Sequence, residues 1–203
     1  MAAPVTFWFA IGSTYTYLAV MRADDVAKRH GVTLDWRPVD IRHVLVTHDN
    51  DPFGSNAVKA NYMWHDIGRH ASSYGLSPNL PAPYPLPDSP FANRVAFVAQ
   101  QEGWVREYAR TTYGRWFEHG EICDEDPNLS ASIGACGHEA ERVIALANTD
   151  ETRAGLLAQT QGAMARGLFG VPTFMVDGEL FWGNDRLEDA LSWATTGRLA
   201  TRN

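Results

Sequence analysis

Residues 170–187 read Gly-Val-Pro-Thr-Phe-Met-Val-Asp-Gly-Glu-Leu-Phe-Trp-Gly-Asn-Asp-Arg-Leu, and the rest of the chain can be placed around them. Asp177-Gly178 is a strong two-residue hairpin signal, because both residue types tolerate the positive φ of such turns. The flanking runs, 173–176 and 179–182, therefore read as two antiparallel strands. Pro172 stands at the opening of the first, where the ladder does not require its missing N–H. After Gly183, Asn184 is a candidate N-cap for a last helix, with Leu187, Leu191 and Ala194 on one inner face. Unpaired N–H groups at that helix start attract an anion, and the Asp185 carboxylate can pair with a cation. The α-amino-acid end of a ligand offers both charges together. Plain capping is the alternative reading of the same residues.

The opposite end of the chain supplies further strands. Val5, Phe7, Phe9 and Ile11 alternate with Thr6, Trp8 and Ala10. Both faces are largely apolar, which predicts a strand over 5–11 buried in the middle of a sheet. Gly12-Ser13 interrupts it. A helical pattern then spans 14–30, with Tyr15, Leu18, Ala19 and Val26 on one face and Gly31 as its stop. Residues 33–37 predict a second strand, closed by Pro38. Such a β-α-β unit pairs its strands in parallel through a right-handed crossover.

The middle is almost all helix. Asn50-Asp51-Pro52-Phe53-Gly54 predicts a loop. A helix begins near Ala57, with Ala60, Trp64, Ile67, Ala71 and Tyr74 at helical spacing, and Gly75 ends it. Prolines at 78, 81, 83, 85, 87 and 90 mark a connection over 77–90. It is too poor in Gly and Ser to be a flexible linker, and Leu80, Tyr84 and Leu86 predict that it packs on the body. Ser89-Pro90 reads as an N-cap and first helical position. Helices are predicted over 90–102, 104–119, 129–136, 138–148 and 150–166.

The chain carries a net charge of −7, which argues against a nucleic-acid partner, since that needs a basic face. A few local donors can still bind one small anion. The first basic residue is Arg22, so residues 5–11 read as a strand and not as the apolar core of a secretory signal. No run approaches the roughly 20 apolar residues of a membrane span. No membrane contact and a cytoplasmic location are expected. Cys123 and Cys136 fit neither a zinc nor a CxxC pattern, and the seven histidines show no metal-ligand spacing, so no metal is expected.

Two further places can carry chemistry. Ser13 sits at the turn into the first helix, where N–H groups and the helix dipole attract anions and lower thiol pKa values. A hydroxyl there can donate to a thiolate brought in by a ligand, or it can be a simple N-cap. Lys59, Tyr62 and Asp66 lie at i, i+3 and i+7 on one helix face. Lys59 offers a point charge for a carboxylate, and a solvated surface face is the alternative.

The order β-α-β, helical block, β-β-α resembles an α/β thioredoxin-like fold with a large all-helical insertion, the DsbA/kappa-class arrangement. Residues 1–42 would form its first half, 43–166 the insertion and 167–203 the second half. Three motifs sharpen the resemblance: Phe7 to Ala19 around Ser13, Lys59 to Asp66, and Gly170 to Leu187. Together they are similar to the 2-hydroxychromene-2-carboxylate isomerases, within the kappa-class glutathione transferase group.

That resemblance implies a glutathione-dependent isomerase of small aromatic carboxylates, working by reversible thiolate addition to give a trans-o-hydroxybenzylidenepyruvate-type product. Ser13 and Thr16 occupy the places where redox relatives carry the two cysteines of CxxC. Ser13 would hydrogen-bond the glutathione sulfur, and Val171, before a cis-Pro172, would pair with the cysteinyl backbone as an added strand. Trp182, Gly183, Asn184 and Asp185 would hold the γ-glutamyl end. Asn50 and Lys59 would line the glutathione pocket, while Tyr84, Tyr15 and Asn50 would meet the substrate. A homodimer is implied as well. The chain departs from the family at Thr14, where Pro is usual, at Ala10, where Asp is common, and at Val46, where members can carry a substrate-facing lysine. A kappa-like transferase that conjugates electrophiles, and a glutathione-binding protein without turnover, are the alternatives.

Overall fold

Four strands form one mixed sheet in the computed structural model, which describes residues 2–50, 56–86 and 89–199. Strand β1 (Val5–Phe9) pairs in parallel with β2 (Leu34–Pro38) and antiparallel with β3 (Thr173–Val176). Strand β4 (Glu179–Trp182) pairs with β3 through the predicted hairpin and completes the order β2-β1-β3-β4. The register sets Phe7 opposite both Trp36 and Phe174. Its ring lies edge-on to Trp36 and stacked on Phe174, each with centroids 4.7 Å away.

The doubly apolar pattern of β1 is used on both faces. Val5, Phe7 and Phe9 enter the main core, against helices α1 (Thr14–Arg29) and α9 (Leu187–Thr196). Trp8 enters a smaller cluster with Ile41 and Val44 of α2 (Ile41–Thr47) and Ala163 of α8 (Asp150–Met164). The strand is two residues shorter than predicted. Residues 10–13 leave the ladder for a turn in which Gly12 has φ 108°. Pro38 lies inside β2, where Phe9 is its partner; β2 is an edge strand, so its missing N–H interrupts no ladder. Helix α2 is absent from the sequence reading. Asp40 caps it, accepting from the His43 N–H at 3.1 Å.

Between β2 and β3 run α2, α3 (Ala57–Ser73), α4 (Ser89–Glu102), α5 (Val105–His119), α6 (Asn128–Ala135), α7 (Ala140–Ala147) and α8. Apart from α2 these are the predicted helices, with ends moved by a few residues, as fraying ends are. Met63, Ile67, Tyr108, Tyr113, Trp116 and Phe117 from this block share one apolar core with Phe7 and Leu18. Tyr17 of α1 stacks on Phe117 of α5 with centroids 4.1 Å apart. The inserted helices thus complete the core of the sheet. The predicted loop residues 51–54, Pro87, and the side chains of the predicted cap pair Ser89-Pro90 lie outside the described residues.

Candidate active site

Ser13 is the N-cap residue of α1, with extended backbone (φ −87°, ψ 119°), yet its side chain makes no capping bond. A serine here ordinarily accepts from an N–H of the first turn. Instead the hydroxyl turns away and donates to the Val171 carbonyl at 3.4 Å, 158 residues on. The Ser13 N–H, expected to be open to a ligand, bonds the Ala10 carbonyl at 3.2 Å. Thr14 and Tyr15 follow as the first helical residues, where N–H groups have no carbonyl one turn earlier. The Thr14 hydroxyl is buried and contacts the Met63 sulfur at 2.9 Å, which gives this departure from the family pattern a packing partner on α3. Thr16, at the second CxxC place, is fully buried and faces the core.

Two cavities share the walls made by Tyr15, Tyr62, Val171 and Trp182. The first, of about 340 Å³, has Ser13 in its wall. Its lining is mainly apolar and aromatic: Ile41, Leu45, Met63, Tyr84, Phe169 and Val171 contribute, with Asn50 and Lys59 as polar groups. Lys59 is the one charged side chain among these lining residues. The second cavity, of about 360 Å³, is the more polar of the two, with Asp66, His70, Asn184 and Asp185 in its wall. Ser13, Tyr15, Asn50, Lys59, Tyr84 and Val171 are therefore gathered around one space, and Pro172, Gly183, Asn184 and Asp185 around its neighbour. Trp182 stands between them, 54% exposed, edge-on to Phe169 at 5.0 Å. The Val171–Pro172 peptide is cis.

Tyr15 donates to Asp66 at 3.1 Å. Burial, reinforced by the Asp66 charge, raises the phenol pKa well above its ordinary value, so Tyr15 remains a donor across the working pH range. Partial burial pushes Asp66 up, but hydrogen bonds from Arg69 and Tyr15 outweigh it and hold the carboxyl below the usual range. Both cysteines are free thiols and neither lines either of these cavities. Burial raises Cys123 strongly and pushes Cys136 up to about 11, which leaves both poor nucleophiles.

The segment after β4 corrects one expectation. Asn184 does not cap the last helix. Asn184–Arg186 form a 3-10 turn, and α9 begins at Leu187 without a side-chain cap. The Asn184 side chain is buried: its Oδ1 accepts from Arg22 at 3.0 Å and its Nδ2 donates to Tyr74 at 3.2 Å. Arg22 also reaches the Asn184 carbonyl at 2.7 Å and pairs with Glu188. The asparagine anchors the turn from behind, and Asp185, half-exposed and 3.2 Å from Arg186, faces the cavity. Gly183 has φ 120°, and a Cβ there would meet the Asp185 carboxylate at 2.5 Å, so only glycine lets that turn close.

The sequence reading missed two buried side chains beneath the Ser13 turn. Asn93 of α4 exchanges two bonds with the Ile11 backbone, and Tyr113 of α5 reaches the carbonyls of Ala10 and Ser13. The available signal was a polar residue, Asn93, beside Ala92, Val95 and Ala96 on an otherwise apolar helix face.

Comparison with known proteins agrees with this architecture. The family model for the DSBA-like thioredoxin domain matches residues 4–192. A 2-hydroxychromene-2-carboxylate isomerase of Sphingobium xenophagum is 31% identical over 190 residues, 93% of this chain and 96% of that one. One of Pseudomonas putida is 27% identical, over 98% of this chain and 97% of that one. A solved structure of a 2-hydroxychromene-2-carboxylate isomerase superposes with a TM-score of 0.81 at 26% identity, covering 90% of each chain. A probable DsbA oxidoreductase from Streptomyces coelicolor shares the fold at a TM-score of 0.74 and 20% identity, over 99% of this chain and 93% of that one. With its sheet order, its helical insertion and this match over nearly its whole length, the chain belongs to the DsbA-like thioredoxin-domain family.

Proposed function

We propose that this protein is a glutathione-dependent isomerase of 2-hydroxychromene-2-carboxylate-type aromatic intermediates. The relatives that bear the isomerase name match almost the full chain and support isomerase activity. The observation that carries the glutathione reading is the Ser13 hydroxyl: released from capping, at a helix start, in the wall of an apolar cavity.

The donor set fits glutathione. When bound, glutathione supplies a thiolate that adds reversibly to an electrophilic carbon. On binding, the Ser13 hydroxyl exchanges the Val171 carbonyl for the sulfur, a hydrogen bond that favours the charged form, and the start of α1 favours it further. Val171 offers its backbone to the cysteinyl unit. Asp185 in the polar cavity takes the ammonium of the γ-glutamyl end, and Lys59 takes a carboxylate. Trp182, shared by both cavities, orients the ligand between them. The apolar first cavity, with Tyr84, Phe169 and Leu45, receives the aromatic ring and excludes water from the reacting atoms. Asn50 offers its amide N–H groups to substrate oxygens, and Tyr15, whose one hydroxyl proton goes to Asp66, borders the substrate with its ring.

The test follows the absorbance of a hydroxychromene carboxylate with the purified protein, with and without glutathione. Conversion only when glutathione is present is expected; equal rates in both would overturn the cofactor role. A second reading, conjugation of electrophiles by a kappa-like transferase, is favoured by the lining of the first cavity. No second cation accompanies Lys59 among its described lining residues, and Val46, where members can carry a lysine, is 74% exposed on α2. Accumulation of a stable thioether by mass spectrometry would select it.

A further inference from the structure

The turn that carries Ser13 is held from outside the sheet. Ile11 has left the β1 ladder, so its buried N–H and C=O need partners elsewhere. Asn93 supplies both: its Oδ1 accepts from the Ile11 N–H and its Nδ2 donates to the Ile11 carbonyl, each at 2.8 Å. This is the two-bond exchange of an antiparallel neighbour, made by one side chain. One helix further on, the Tyr113 hydroxyl lies 2.7 Å from the Ala10 carbonyl and 2.9 Å from that of Ser13. Asn93 and Tyr113 are both fully buried, and neither lines either cavity. The two clamps come from positions 82 and 100 or more residues along the chain.

The clamps bear directly on the unusual state of Ser13. Serine is among the preferred N-caps, and capping stabilises a helix by about 1 kcal/mol. A loose turn would let the Ser13 hydroxyl fall back onto the first-turn N–H groups. Fixing the backbone on both sides, at Ile11 and at the Ser13 carbonyl, holds the turn where the hydroxyl reaches the Val171 carbonyl and not the cap.

We propose that Asn93 and Tyr113 are positioning residues for Ser13, gripping residues 10–13 so that the hydroxyl stays out of the cap and faces the first cavity. The inserted helices α4 and α5 are thereby part of the active-site apparatus, although none of their described residues lines either cavity. The turnover part of this inference rests on the glutathione reading above; the geometric part does not.

The experiment therefore has two arms. Tyr113→Phe and Asn93→Ala are made in the parent protein and in a Ser13→Cys background. Tyr108→Phe serves as control, being fully buried on the same helix without touching the turn. In the Ser13→Cys background, alkylation of the introduced thiol is followed against pH, with the parent chain reporting any contribution from Cys123 and Cys136. Both clamp variants are expected to raise the apparent pKa of that thiol. In the parent they are expected to lower kcat roughly 10- to 100-fold with little change in KM for glutathione. Tyr108→Phe is expected to move only the melting temperature. If the clamp variants lose melting temperature like the control but leave thiol titration and kcat at parental values, the proposal is overturned. Tyr113→Phe keeps the ring and decides the matter alone if Asn93→Ala does not fold. Should the parent prove indifferent to glutathione, the functional reading falls, and the thiol titration still decides the positioning.

Discussion

Replacing Ser13 with alanine separates chemistry from stability. The hydroxyl makes no capping bond, so Ser13→Ala should melt within a degree or two of the parent, where an ordinary cap would lose about 1 kcal/mol. Turnover should fall by about 10- to 150-fold, equivalent to roughly 1.5–3 kcal/mol for a hydrogen bond to a charged partner. Steady-state kinetics beside a thermal melt checks both halves. Gly183→Ala tests the other cavity. Its φ of 120° and the 2.5 Å approach to Asp185 should cost about 1–3 kcal/mol, read by urea denaturation, and calorimetry should show weaker glutathione binding. At this scale the sequence identified most of the gathered residues, because helix starts and strand ends are local patterns. It could not tell which way the Ser13 hydroxyl turns, since that depends on Val171, Asn93 and Tyr113, all far along the chain. It also assigned Asn184 to a helix cap, because the competing donor, Arg22, lies 162 residues away.

Elements are tied together by a few ionic contacts with different stakes. Arg22, buried under the ring of Tyr74 at 4.2 Å, links α1 to the turn at Asn184 and to Glu188 of α9. Arg22→Met leaves the buried Asn184 groups without their partner and should destabilise by roughly 2–4 kcal/mol, measured as a shifted urea midpoint. Glu102, the last residue of α4, pairs with Arg142 of α7 at 2.6 and 2.9 Å. Hydrogen bonding to Arg142, helped by Trp104 and against the opposing effect of burial, pulls its carboxyl down to about 2. The folded pKa thus lies below the unfolded value of about 4.3, so the pair favours the fold above that pH. Its contribution fades as pH falls toward 2. A Glu102→Gln variant should be slightly less stable at neutral pH, since exposed pairs contribute little, and should match the parent near pH 2 in acid-titrated urea melts. Among the elements themselves, long helices with a sustained apolar face were legible. Helix α2 was not, because only Ile41 and Val44 of its seven residues are buried, too few to set a period.

At the scale of the whole molecule, sheet and inserted helices share one apolar core, so they should unfold together. Far-ultraviolet dichroism reports mainly the helical block, and tryptophan fluorescence reports Trp8 and Trp36 in the sheet as well as Trp104, just before α5, and Trp116 within it. Their denaturation curves should coincide; two separated transitions would show an independently stable insertion. The order of the elements was readable from alternation, hairpin and proline signals, but the common core was not, since it is made by contacts between distant segments. The pairing of β1 with β3 carries a consequence for how the chain is made. The third residue of β1, Phe7, leaves the ribosome early, and its partner Phe174 follows after roughly 10–30 s at ordinary elongation rates of about 5–20 residues per second. Throughout that interval the nascent chain presents a half-finished sheet with an open apolar edge, a surface that invites aggregation. Synthesis, and not only folding, therefore sets when the cavity beside Ser13 first exists, since Phe169, Val171 and Trp182 in its wall are among the last residues made.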